Sequence, residues 1–128
     1  MALGYTEELA LAEANRCLHC KVPHCREGCP VDIDIPAFIA KIKEGDFEGA
    51  NTKIKEASSL PAICERICPQ ENQDEKYCVM GIKGKPVGIG RLERFVADYC
   101  MQNCEEKIEK TVKDDAQKVA IIGSGPAG

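Results

Sequence analysis

Cys17-Leu18-His19-Cys20-Lys21-Val22-Pro23-His24-Cys25-Arg26-Glu27-Gly28-Cys29-Pro30 packs four cysteines, two prolines and a glycine into fourteen residues. That density of chain-breaking residues suits a loop wrapped around something rather than a helix or a strand. A second stretch, Cys64-Glu65-Arg66-Ile67-Cys68-Pro69, repeats the C-x-x-x-C-P form of Cys25 to Pro30, although the residues flanking the two copies do not repeat. Cys78 follows the second copy, and Cys100 and Cys104 complete a total of nine cysteines.

What the cysteines do depends on compartment. The N-terminus, Met1-Ala2-Leu3-Gly4-Tyr5-Thr6-Glu7-Glu8, has no basic region followed by an apolar run, so it does not read as a secretory signal and a cytoplasmic location is expected. A reducing compartment and an odd number of cysteines both disfavour a disulfide framework. Metal is the alternative staple, and a small domain with 5% aromatic residues, no Trp and 30% charged residues has a thin enough core to need one. Iron-sulfur clusters take thiolates, and a C-x-x-C with more cysteines close behind lets one loop offer several sulfurs to one cube. The Pro after the last Cys belongs to the bacterial ferredoxin pattern, in which the fourth Cys of a run serves the other cluster; by that logic Cys29 belongs with the second group. Here the middle spacing is four residues rather than two, so the run is not an ordinary ferredoxin repeat. Zinc is the rival ligand, since C-x-x-C and distant C-x-x-x-C pairs can build a tetrahedral site. Thiols buried as small hydrophobes are the bland reading. It fits Cys100 and Cys104 best.

Around these loops the pattern is helical. Thr6 before Glu7 and Glu8 reads as an N-cap that starts a helix running toward Arg16. Asp34 caps a helix with Pro36 in its first turn, carrying Phe38, Ile39 and Ile42 to a stop at Gly45. Asp46 caps another, with Phe47, Ala50, Ile54 and Ala57 on one side. Ser58-Ser59-Leu60-Pro61 ends it. Gly81 to Gly90 reads as a loop, and Arg91 to Cys104, with Leu92, Phe95, Val96, Tyr99 and Cys100 at helical spacing, as the longest helix. Glu105 to Gln117 alternates charges and is expected to be a solvated helix end or linker. The expected class is therefore all-α.

Several functions are excluded by bulk properties. The net charge of -4 with mixed signs gives no basic footprint for nucleic acid. No apolar run approaches the roughly 18 residues that span a bilayer, so no membrane partner is expected.

The last residues change character. Lys118-Val119-Ala120-Ile121-Ile122 is a short β-type run, followed at once by Gly123-Ser124-Gly125-Pro126-Ala127-Gly128. A strand leading into G-x-G-x-x-G is the context of a dinucleotide fingerprint, in which Gly123 permits the tight turn, Gly125 lets backbone approach a pyrophosphate and Gly128 allows helix and strand to pack closely. The expected division is an iron-sulfur domain over residues 1–116 and the start of a truncated FAD- or NAD(P)-binding domain over residues 117–128. These 128 residues are not expected to bind FAD by themselves.

The chain resembles the N-terminal iron-sulfur domain of the small (beta) subunit of NADPH-dependent glutamate synthase, shared with dihydropyrimidine dehydrogenase and with the large subunit of the NADH-dependent ferredoxin:NADP oxidoreductase. The carriers are Arg16-Cys17-Leu18-x-Cys20, Gly28-Cys29-Pro30-Val31, Ile35-Pro36-x-Phe38-Ile39, Gly45-Asp46-Phe47, Leu60-Pro61-x-Ile63-Cys64, Cys68-Pro69-Gln70-Glu71 and Pro86-Val87-x-Ile89-Gly90-x-Leu92-Glu93-Arg94-Phe95. The resemblance implies an α-helical ferredoxin fold with two [4Fe-4S] clusters. It implies that Cys17, Cys20, Cys25 and Cys78 share one cluster. The other would take Cys29, Cys68, a third Cys, and a Glu or Gln whose matching position is Glu93. Where relatives supply that third Cys, this chain has Asp74. Carboxylate oxygen suits iron in a sulfide cube less well than thiolate does. Four outcomes stay open: Asp74 and Glu93 both ligate, one iron is lost to give [3Fe-4S], Cys64 is recruited although relatives usually leave it out, or the site is empty. Glu65 stands where relatives generally have Gly.

Functionally, the resemblance implies electron transfer to or from a flavin domain of the same polypeptide and a redox partner subunit, with FAD and NAD(P)H bound only by the full-length oxidoreductase. No catalytic residue is implied in the fragment. A module in which zinc or clusters only hold the fold is the alternative.

Overall fold

The computed structural model describes residues 4–105, 115–117 and 119–124. Its elements are α1 (Glu7–Asn15), α2 (His24–Glu27), α3 (Ile35–Lys43), α4 (Phe47–Lys55), α5 (Pro61–Ile67) and α6 (Ile89–Asn103), with 3-10 turns at Gln70–Asn72, Glu75–Tyr77 and Val79–Ile82. Among the described residues there is no strand.

Three helix starts stand where polar side chains can take an orphan backbone N–H. Thr6 Oγ1 accepts from Leu9 N at 3.3 Å, Asp34 Oδ1 from Ala37 N at 3.3 Å, and Asp46 Oδ1 from Gly49 N at 2.8 Å. Gly45, at φ +75, lets α3 end and the chain turn within two residues into α4. Pro61 sits in the first turn of α5, where its missing N–H costs nothing.

The core lies where α3, α4 and α6 meet α1. Phe38, Ile39 and Ile42 of α3, Ile54 of α4 and Leu92 and Val96 of α6 are fully enclosed, with Ala10 and Ala14 of α1 closing one side. Each large apolar side chain contributes about 1.5–3 kcal/mol by leaving water. Phe47 packs edge-on against Phe95 and Tyr99, with ring centroids 5.1 and 4.9 Å apart. This helical body presents the two cysteine loops at one end of α1 and along α5 and α6.

Three expectations need adjustment. α6 begins two residues early, at Ile89, because Gly88 serves as its N-cap. Cys100 and Cys104 are not two free thiols: they form a disulfide, possible because residues four apart on a helix share a face and their Cα atoms lie 4.6 Å apart. The run at 118–122 shows no strand at residues 119–122, and Val119, Ile121 and Ile122 are 82%, 66% and 100% exposed. A strand is made by its ladder, and none of the described residues pairs with these. Gly123 does adopt a glycine conformation, φ +107, while Gly125 and Gly128 lie outside the described residues, as do residues 106–114 of the charged stretch.

Candidate metal centres

Four thiols gather around one pocket. Cys17, Cys20, Cys25 and Cys78 line it, together with Ile35, Ile39, Tyr77 and Met80. α1 delivers Cys17, whose N–H still bonds Ala14 O at 3.0 Å, and a left-handed residue, His19 at φ 50, bends the chain on to Cys20. The single turn of α2 places Cys25. Cys78 ends the 3-10 turn at Glu75–Tyr77, so it arrives from more than fifty residues away in sequence.

Side chains of α1 hold that long-range approach. Glu13 Oε1 accepts from Gly88 N at 2.8 Å and from Arg16 Nη1 at 2.5 Å. Arg16 in turn donates to Lys85 O at 2.6 Å and Pro86 O at 3.3 Å. Lys43 Nζ donates to Cys17 O at 2.9 Å, and Val87 N donates to Cys78 Sγ at 3.4 Å.

The thiols of this group feel one another's charge. Burial, the largest effect, pushes the Cys25 thiol up to about 11, and Cys78, Cys17 and Cys20 push it the same way. Cys17 is likewise raised, by burial first, with Lys43 opposing. Neutral thiols must lose their protons to bind metal, so binding here releases protons.

A second group lies between α5 and α6. Cys68, the C-cap of α5, is raised by burial and then by the charges of Cys64, Glu93 and Cys29, which places each of the three within range of Cys68. Cys29 follows α2 directly, its N–H bonded to Arg26 O at 3.1 Å, and a two-pronged Arg26–Asp32 pair at 2.5 and 2.8 Å clamps the chain beyond it. Gly28 permits the two loops to meet: a Cβ there would lie 2.5 Å from Tyr77 Cδ2 and 2.7 Å from Gln73 O.

Carboxylates surround this group. Glu93 is 3% exposed and its Oε1 has no hydrogen-bond partner; Asp74 is 4% exposed. Burial pushes Glu93 up to about 8, Glu65 to about 7 and Asp74 to about 6, and Asp74 and Glu65 both add to the shift at Glu93. An orphaned buried carboxylate oxygen costs free energy unless a cation or proton satisfies it.

The donor set fits iron-sulfur ligation. Seven cysteines are free: four line the pocket, and Cys29 and Cys64 lie within range of Cys68, as Glu93 does. Among the described residues no three His, Cys, Asp or Glu side chains converge closely enough for a single metal ion. A lone zinc, with Zn–S of about 2.3 Å, would require its thiolates to stand roughly 4 Å apart. The sulfurs that hold a cube stand at its corners and are spread wider.

Sequence reasoning had named Cys17, Cys20, Cys25, Cys29, Cys68, Cys78, Asp74 and Glu93, and the structure places every one of them in one of these two groups. It missed Val87 N and Lys43, whose roles are backbone or long-range contacts without a local signal. Among the described residues no helix is long and apolar enough to cross a membrane.

Comparison with known proteins agrees with this donor set. The family described as dihydropyrimidine dehydrogenase domain II, 4Fe-4S cluster, matches residues 1–118. The NAD-dependent dihydropyrimidine dehydrogenase subunit PreT of Escherichia coli K12 is 41% identical over 125 residues, covering 98% of this chain and 30% of that protein. The glutamate synthase [NADPH] small chain of Escherichia coli K12 is 36% identical over 124 residues, covering 97% and 26% respectively. The putative oxidoreductase UacF of the same strain is 35% identical over 126 residues, covering 98% and 20%. The chain thus spans less than a third of each of these relatives. With cysteine loops, helical body and family match in agreement, the chain belongs to the dihydropyrimidine dehydrogenase domain II family of 4Fe-4S cluster domains.

Proposed function

We propose that this chain holds two [4Fe-4S] clusters and passes electrons between the flavin of a following domain and a partner's redox centre. The observation that carries this reading is the division of seven free thiols into groups of four and three, the second group completed by the unpartnered Glu93 Oε1. Cys17, Cys20, Cys25 and Cys78 would hold the first cluster; Cys29, Cys68 and Glu93 belong to the second, with Asp74 beside them.

When bound, such clusters supply one-electron chemistry; the chain's own residues hold them, shield them and tune them. Ile35, Ile39 and Met80 line the first site and lower its dielectric. The Val87 N–H bonds a thiolate, and Lys43 adds positive charge near Cys17. The N–H donor and the positive charge favour the reduced, more negative state of that cluster, and the low dielectric opposes it. No acid, base or nucleophile is required.

Gly123, Gly125 and Gly128 support a following FAD-binding fold, and the printed names of the relatives support an NAD(P)H-linked oxidoreductase, like a glutamate synthase small subunit or a dihydropyrimidine dehydrogenase subunit. Because both kinds of relative match almost all of this chain, the residues serve electron carriage rather than any one final substrate. The test is the metal and sulfide content of protein purified without oxygen. Iron and sulfide of about eight each, with an EPR signal on reduction, is the expected result. Stoichiometric zinc without visible colour would sink the proposal in favour of a structural module.

A further inference from the structure

We infer that Cys64 supplies the third thiolate of the second cluster, in the position that Asp74 leaves without one, so that the site is Cys29, Cys64, Cys68 and Glu93. This rests on the two-cluster reading and goes beyond it, since the resemblance leaves Cys64 outside the ligand set.

The first support is what Asp74 already does. Its Oδ1 accepts from Glu75 N at 2.7 Å, capping the 3-10 turn that leads to Cys78. The Gln70 amide, with its NH2 turned toward the carboxylate, donates to Oδ1 at 2.5 Å and to Oδ2 at 2.8 Å. Gln70 is itself pinned, for a Cβ at Gly90 would lie 2.6 Å from its Cγ. Both oxygens of Asp74 therefore have protein donors. Glu93 Oε1, equally buried, has none.

The second support is where Cys64 stands. It lies four residues before Cys68, one helical turn away on the same face of α5. Cys68 N donates to Cys64 O at 2.8 Å, closing the turn that joins the two residues. The Ser58 hydroxyl, 4% exposed, lies 3.7 Å from Cys64 Sγ and can donate to a thiolate there. Thiolate also suits iron in a sulfide cube better than carboxylate. On ligation the Fe–S bond forms as the thiol proton passes to water, with no change of oxidation state.

Full-length chain loaded anaerobically tests this with three variants: C64S, D74N and the wild type. The wild type and D74N are expected to hold about eight irons, and C64S to fall to about seven, with a [3Fe-4S] EPR signal, or to about four. Retention of the first cluster's irons and of helical circular dichroism shows that C64S is folded. Iodoacetamide labelling with peptide mass mapping gives a readout independent of substitution: Cys64 is expected to be protected in loaded protein and labelled after chelation. An unchanged iron count in C64S, a loss in D74N as large as that in C64S, or labelling of Cys64 while eight irons are bound overturns the assignment. Wild-type protein with only about four irons overturns the two-cluster reading itself, and this assignment with it.

Discussion

The backbone N–H of Val87 donates to Cys78 Sγ at 3.4 Å, so the loop that leads into α6 is hydrogen-bonded to a sulfur of the first thiol group. A donor aimed at a ligand sulfur stabilises the reduced cluster and raises its potential. Val87→Pro removes the donor, whereas Val87→Ala keeps it. The first cluster is expected to titrate at a more negative potential in V87P than in V87A when followed by EPR. Equal potentials in the two variants would show that this contact does no tuning.

Gly28 is where the two cysteine loops touch. In Gly28→Ala the new methyl would meet the Gln73 carbonyl at 2.7 Å, and a backbone atom cannot swing aside as a side chain can. A cost of about 1–3 kcal/mol in urea unfolding is expected, together with reduced iron content. Shortening Tyr77 to Ala in the same chain should not restore it, because the Gln73 clash remains.

Arg16 joins the end of α1 to the backbone at Lys85 and Pro86 and to Glu13. Its replacement by Ala removes charge-assisted bonds that are partly exposed, so a loss of about 1–2 kcal/mol is expected. Since those bonds hold Cys17 near the loop after Cys78, iron should leave the first site faster on exposure to a chelator, measured by loss of visible absorbance. Unchanged release would mean that the core alone sets this spacing.

Stripped of metal, the protein should become less stable as pH rises. Burial raises Asp74, Glu65 and Glu93 to about 6, 7 and 8, so the folded chain holds protons that the unfolded chain has released. Stability is therefore full below the ordinary carboxylate range and is lost as pH climbs through each folded pKa, from 4.5 to about 8 at Glu93. The urea midpoint of chelated, reduced protein should fall between about pH 5 and pH 8. Loading with iron should flatten this slope, because Glu93 is then satisfied as the carboxylate.

How much of this was legible in the sequence follows from range. The caps at Thr6, Asp34 and Asp46 and the apolar faces of α3, α4 and α6 are set by residues three or four apart, and these expectations match the structure except at Ala57, which lies beyond the end of α4 and is exposed. Cys17, Cys20 and Cys25 declare themselves by spacing. The placement of Cys78 beside them came only through the resemblance, since no local rule joins residues so distant. Asp74 looked like a bare substitution because its partners are the backbone of Glu75 and the amide of Gln70, which a pattern of side-chain types does not reveal. The Cys100–Cys104 disulfide is not legible either, because two cysteines four apart on a helix read equally well as packed thiols.

Cys25 and Cys29 are a single turn apart, yet they face different thiol groups, whereas Cys64 and Cys68 of the second stretch stand together and Cys78, beyond it, joins the first group. During synthesis, then, the first motif emerges from the ribosome with neither site complete. The first site waits for Cys78 and the second for Glu93. On the two-cluster proposal, metal insertion is thereby deferred to a nearly finished domain. Deleting the first motif removes thiols from both groups, whereas deleting Cys64 to Pro69 removes them from the second alone.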